Sequence, residues 1–353
     1  MTPTAFFDFL MPRRLARAAT AFALGFSVSQ SQTAELGTQM YELRERGTLR
    51  CGVDTGLEGF ARQDEDGNWN GFEVDLCRAY AAAFLGSPDR MQLVPLTTQE
   101  RLEALGEGEV DILLRNTTWT LTRDAQADFS FAGVYYYDGQ GFLVPRDLAI
   151  TSARELDGAR ICVLRNTTTA LNLVDYAQSH DLTFQLVEVA TVRAGITAYR
   201  RGQCDALSND LSGLAGMRMT LEEPDAHLIL PEVISKEPLS AVVASRDQKF
   251  ADAVRWVLHA LVAAEEYGVT AANAAELAEN STNAEVGRLL GTGGPLAEGL
   301  FLDAQFALRA IEAGGNYGEL FERNLGTTSG LNLRRGLNAQ WNEGGLMYAP
   351  PFR

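Results

Sequence analysis

The residues best suited to chemistry lie in one run, Arg115-Asn116-Thr117-Thr118-Trp119-Thr120-Leu121-Thr122-Arg123. The run offers an amide, four threonine hydroxyls and two guanidiniums without an acidic residue, in a chain of net charge −16. A guanidinium stays charged at all working pH and meets a carboxylate through two parallel hydrogen bonds. The apolar residues 110–114 read as a buried strand leading into this run, and helix signals follow it. A strand that ends in donors just ahead of a helix N-terminus suits an anion. The segment therefore reads as a grip for a carboxylate, with Arg123 and Thr118 as its leading residues. The rest of the chain must supply the opposite wall of a cleft.

A second donor-rich strand end supports two walls. Leu114-Arg115-Asn116-Thr117-Thr118 recurs as Leu164-Arg165-Asn166-Thr167-Thr168. Each copy follows a strand and precedes a helix, where α/β sheets bind ligands; each would also serve as a polar helix cap. Asp210 occupies a third strand end, either as an N-cap or as a carboxylate for an ammonium group. An arginine on one wall and an aspartate on the other are the pair a zwitterion requires. Catalytic constellations are thin. His180, His227 and His259 lack metal-ligand spacing, and no G-x-S-x-G, P-loop or G-x-G-x-x-G is present. No cofactor is expected.

The elements that must position these residues alternate strand and helix. Residues 49–53, 91–95 and 110–114 read as strands, with helices over 72–85 and 98–105, the latter capped by Thr98. A second series has strands at 160–164, 184–189, 204–207 and 228–230, with helices over 170–178, 191–201 and 211–219. This is an α/β chain with parallel strands in two lobes. The chain is expected to cross between lobes near Pro145-Arg146-Asp147 and to return over residues 240–244. That gives a first lobe of residues 40–143 plus 245–279, a second of 144–244, and a C-terminal extension, 280–353, packed on a lobe. Two crossings describe a clamshell that can hinge.

At 353 residues the chain can form two domains. An excess of 46 Asp and Glu over 30 Lys and Arg argues against nucleic acid as partner. Residues 1–31 read as a secretory signal, with a basic n-region (Arg13, Arg14, Arg17) and a short apolar run. Later segments are too polar to span a membrane. The four cysteines allow three pairings, of which the positions favour Cys51–Cys77 and Cys162–Cys204; four buried thiols are the alternative.

Several separated segments carry a resemblance. Gly71-Phe72-Glu73-Val74-Asp75-Leu76, residues 116–123, Asn166-Thr167-Thr168 and residues 204–210 resemble the periplasmic amino-acid-binding proteins of ABC importers. Residues 115–123, 136–142, 234–239 and 335–351 are similar to the general L-amino-acid-binding branch, and the likeness runs from about residue 47 to the end. It implies a type II-like, two-lobe periplasmic binding protein that closes on free L-amino acids and hands them to an inner-membrane ABC permease, as a monomer. It further implies that Arg123 and the N–H groups near Thr118 and Thr168 hold the α-carboxylate. Asp210 and the Asn116 carbonyl would hold the α-ammonium. Leu57 stands where selective relatives carry a stacking aromatic, which fits a roomier pocket. Glu58, Phe60 and Arg115 are the candidates for touching the ligand side chain. The competing expectations are a dehydratase-like enzyme using Glu58 as acid or base, and a sensory binding protein.

Overall fold

The structure, a computed structural model, describes residues 38–125, 128–294 and 296–353. The expected signal over 1–31 lies outside the described residues. α1 (Thr38–Arg46) leads to β1 (Leu49–Asp54), a ribbon of β2 (Arg62–Gln63) and β3 (Trp69–Asn70), α2 (Phe72–Leu85), β4 (Met91–Leu96), α3 (Arg101–Gly106), β5 (Ile112–Leu113) and α4 (Leu121–Asp124). Two strands follow in succession, β6 (Phe129–Asp138) and β7 (Gln140–Pro145). The next series is β8 (Arg160–Leu164), α5 (Thr168–Ser179), β9 (Gln185–Val189), α6 (Val192–Arg200), β10 (Ala206–Asp210), α7 (Leu211–Met219) and β11 (His227–Ile229). β12 (Glu237–Ala244) runs into α8 (Gln248–Glu266), and α9 (Ala274–Asn280), α10 (Ala284–Leu289), α11 (Phe306–Gly314) and α12 (Tyr317–Asn324) complete the helices.

The strands form two five-stranded mixed sheets, β4-β1-β5-β12-β6 and β11-β7-β10-β8-β9. β1 lies parallel to β4 and β5, and β8 lies parallel to β9 and β10. Each lobe therefore points the carboxyl ends of its central strands the same way, and the donor-rich segments sit at those ends. Short polar residues start the helices there. Thr167 accepts from Ala170 N at the head of α5, and Thr191 does the same for Ala194 N in α6. The expected cap of α3 is corrected. Thr97 and Glu100 cap each other's N–H groups, leaving the Thr98 hydroxyl for Arg115.

The crossings also differ from expectation. β7 pairs with β10 and β11 of the second sheet, so the chain leaves the first lobe at Gly139 rather than near Pro145. A side chain at Gly139 would collide with Val233 at 2.2 Å, which explains a glycine at this close passage. The return comes at Glu237, where β12 pairs with β6 from Glu237↔Asp138 onward. Residues 129–145 are one nearly continuous apolar and aromatic run. Periodicity alone does not reveal where such a run changes sheets.

Residues beyond 280 pack on the first lobe. Ala307, Ile311, Tyr317 and Phe321 share one core with Tyr80 of α2 and Leu261 of α8. Arg323 grips the carboxylate of Asp75 in α2 at 2.8 Å. Asn338 mimics a strand neighbour: its Oδ1 accepts from Tyr137 N at 2.7 Å and its Nδ2 donates to Tyr137 O at 3.0 Å.

Both disulfides form inside single lobes, Cys51–Cys77 and Cys162–Cys204. Closing loops of 26 and 42 residues in the unfolded chain is worth roughly 3–4 kcal/mol each. Replacing either pair by alanine should lower the melting temperature, an effect reproduced by reductant in the intact protein. Thermal melts with unchanged midpoints in both variants would contradict this.

Candidate functional site

The site is built from backbone outward. At the end of β5, Asn116 adopts a left-handed conformation (φ +42°), and at the end of β8, Asn166 does the same (φ +58°). Asparagine is among the few non-glycine residues that tolerate this region. The sequence repeat is thus a repeat of backbone geometry, turning the chain sharply at two strand ends. The first turn is held from below. Asn116 N–H donates to Glu73 Oε1 at 2.8 Å and lies 3.0 Å from the Tyr135 hydroxyl, which itself donates to Glu73. Beyond the turn, Thr118 bridges Leu239 of β12, where β12 has an irregular register. The second turn runs into α5, whose first N–H groups have no partner within the helix.

A cavity lies between these turns and the end of β10. Its lining includes Leu57, Arg101, Arg115, Asn116, Thr118 and Thr168, with Asp210 opposite. About 50 Å³ is open to the centres of water-sized molecules, so one small solute touches both walls.

Charges at this cavity are unevenly satisfied. Asp210 heads α7, but its carboxylate caps no N–H there. Burial, with Asp138 and Glu237 nearby, pushes its carboxyl well above the usual range, against the pull of Arg101 and Arg123. Asp138, at the crossing, is raised by burial to about 6 while accepting from Ser212 and Gly139. Arg101 is only 5% exposed. It donates to the carbonyls of Arg115 and Asn116 at 2.9 and 3.0 Å, and its Nε has no partner. Burial, then repulsion from Arg115 and Arg123, lowers its pKa to about 9. Arg123 is half-buried and donates to Thr118 O at 2.8 Å. Burial lowers its pKa, opposed by Glu237 and Asp210. Neither Arg101 nor Arg123 forms an ion pair among the described residues.

Thr118, Asn116, Thr168, Asp210 and Leu57 line the cavity, whereas Arg123 does not. Arg123 stands just behind Thr118. Arg115 lines the cavity, yet its guanidinium is engaged by Asp54 at 2.6 Å, Leu96 O at 2.9 Å and Thr98 at 3.2 Å. Two candidates are corrected. Glu58 turns away to pair with Arg62 at 2.5 Å and backs onto Gly216, where a Cβ would meet it at 3.1 Å. Phe60 is fully buried against Tyr136, ring centroids 5.5 Å apart, and belongs to the core. Both stand on a loop, where sequence gives no side-chain direction.

Arg101 was missed because it reads as an ordinary helix residue. Its position held a signal, since a cation in the first turn of a helix opposes the macrodipole and needs another reason to be there. Glu237 was missed because it lies ahead of residues 240–244, where the return was expected.

Residues 49–272 match the family of bacterial extracellular solute-binding proteins, family 3. The glutamate/glutamine/aspartate/asparagine-binding protein BztA of Rhodobacter capsulatus is 50% identical over 88% of this chain and 92% of its own length. The general L-amino acid-binding periplasmic protein AapJ of Rhizobium johnstonii is 46% identical over 94% of this chain and 98% of its own. A periplasmic binding protein from Brucella ovis with glutathione bound superposes with a TM-score of 0.86 at 46% identity, covering 89% of this chain and 99% of that one.

Glu73 yields a pH signature. It is completely buried, Oε2 is unpartnered, and burial raises its carboxyl from 4.5 to about 8, against the hydrogen bonds from Tyr135 and Asn116. The folded state holds a proton that the unfolded state releases. Its contribution to stability is full below about pH 4.5 and is lost as pH rises through about 8. Glu73→Gln removes this dependence. The variant's melting temperature should therefore rise relative to wild type between about pH 5 and about pH 8. A constant difference across that window would refute the assignment.

With family match, near-full-length relatives and a common two-sheet fold in agreement, this chain belongs to the bacterial extracellular solute-binding proteins, family 3.

Proposed function

We propose that the chain captures free L-amino acids in the periplasm with a zwitterion clamp and delivers them to an ABC-type permease. The observation that carries the reading is one cavity lined by an uncapped acid at the end of β10, Asp210, and by a buried guanidinium of the first lobe, Arg101, with Arg123 just behind Thr118 on the same wall. A zwitterion neutralises both at once. Arg123 and the N–H groups opening α5 at Thr168 take the α-carboxylate. Asp210 and the Asn116 carbonyl take the α-ammonium. Because the contacts come from both lobes, only the closed form makes them all, and ligand binding favours closure.

The side-chain end of the cavity suits acids and amides. Arg101 offers a buried guanidinium without a carboxylate partner, and Leu57 adds an apolar wall without stacking. The names of the relatives support this: BztA binds glutamate, glutamine, aspartate and asparagine, and AapJ binds L-amino acids generally. The relatives' names describe binding proteins rather than enzymes. Glu58, the acid or base a cleft reaction would have used, does not line the cavity.

Isothermal titration over a panel of L-amino acids tests the clamp. Arg123→Ala should weaken every ligand by roughly 2–5 kcal/mol, because a buried carboxylate loses its partner. Arg101→Met should weaken L-glutamate more than L-alanine, by at least about tenfold or 1.4 kcal/mol. Near-normal affinity in Arg123→Ala would remove the clamp, and a uniform loss in Arg101→Met would remove the side-chain role.

A further inference from the structure

Glu237 is 1% exposed and opens β12, the strand by which the chain returns to the first lobe. It does not line the cavity. Its carboxylate nevertheless collects side chains from both lobes. Oε2 accepts from the Thr118 hydroxyl at 2.6 Å and from the Thr168 hydroxyl at 3.3 Å. Oε1 accepts from Asn172 Nδ2 at 2.7 Å and from the Ser235 hydroxyl at 2.7 Å. Asn172 is itself oriented, since its amide also donates to Gln140 Oε1 at 3.0 Å.

A carboxylate accepts hydrogen bonds and donates none, whereas a hydroxyl has one proton and two lone pairs. Each threonine therefore gives its only proton to Glu237. What remains of Thr118 Oγ1 and Thr168 Oγ1 for the cavity is acceptor capacity. An acceptor repels a carboxylate and welcomes an ammonium. We infer that Glu237 is the positioning residue of the clamp: by taking the protons of Thr118 and Thr168, it turns both side chains into acceptors for the ligand's α-ammonium. The threonine hydroxyls thus serve the end of the ligand opposite to the one expected from sequence. The carboxylate is left to Arg123 and the backbone N–H groups of α5. The inference rests on the amino-acid-binding reading above and specifies which groups serve which end of the ligand.

Glu237→Gln in the full chain tests it, with L-glutamine as ligand. The carboxamide keeps the shape and can still accept from Asn172, but its NH₂ donates to the threonine oxygens and drives their protons into the cavity. Affinity should fall at least tenfold with little change in melting temperature. On a Thr118→Val, Thr168→Val background the same substitution should have no further effect, whereas on an Arg123→Lys background it should cost the full factor again. Should Glu237→Gln fail to fold, Thr168→Val carries the test. It should weaken L-glutamine several-fold, with Thr168→Ser restoring wild-type affinity. Wild type that binds no L-amino acid would overturn the reading beneath. Wild type that binds normally while Glu237→Gln is unchanged, or loses the same factor on the valine background, would overturn this inference alone. So would a Thr168→Val variant with wild-type affinity.

Discussion

A charge held away from water without a partner is among the costliest arrangements in a protein. This cavity has incompletely partnered ionisable groups on both walls, Asp210 and Arg101, with Arg123 just behind Thr118. Asp210 caps nothing, Arg101 leaves Nε unsatisfied, and Arg123 spends its one side-chain hydrogen bond on a carbonyl. The buried carboxyls and the two arginines perturb one another, so each is poised by the charge it faces. A small zwitterion relieves both walls in one step. A ligand with only one charge leaves the other wall uncompensated.

The fold keeps these charges apart and lets them meet. Two sheets, each with parallel central strands, aim their strand ends at one gap. β6 and β12 cross side by side at Asp138 and Glu237, so the connection between the lobes is a two-stranded ribbon. The Asn116 and Asn166 turns are each held by hydrogen bonds from neighbouring elements. Asn116 is anchored by Glu73 and Tyr135, and the head of α5 by Gln140, which donates to Thr169 O at 3.0 Å. The extension strengthens this side through Asn338, which occupies both hydrogen-bonding groups of Tyr137 next to the crossing.

Much of this is legible in the sequence because the signals are local. The alternation of strands and helices, the donor cluster around Thr118, its echo at Thr168 and the acid at Asp210 all sit at strand ends, where a short pattern fixes position. α2 covers residues 72–85 as its pattern predicts. What was illegible is directional or long-range. Nothing in residues 129–145 marks the change of sheet except Gly139, whose reason is a contact with Val233, far along the chain. Glu58 and Phe60 lie within three residues of Leu57, yet one turns to Arg62 and the other into the aromatic core. Glu237 gathers partners as distant as Thr118, a separation no periodicity encodes.

The most direct test of the central claim is a crystal structure of the protein with L-glutamine bound. The account predicts the ligand between the two sheets, its α-ammonium within hydrogen-bond distance of Asp210 and its α-carboxylate on Arg123 and the first N–H groups of α5. A ligand with its carboxylate turned toward Asp210, or one seated outside this cavity, would contradict it.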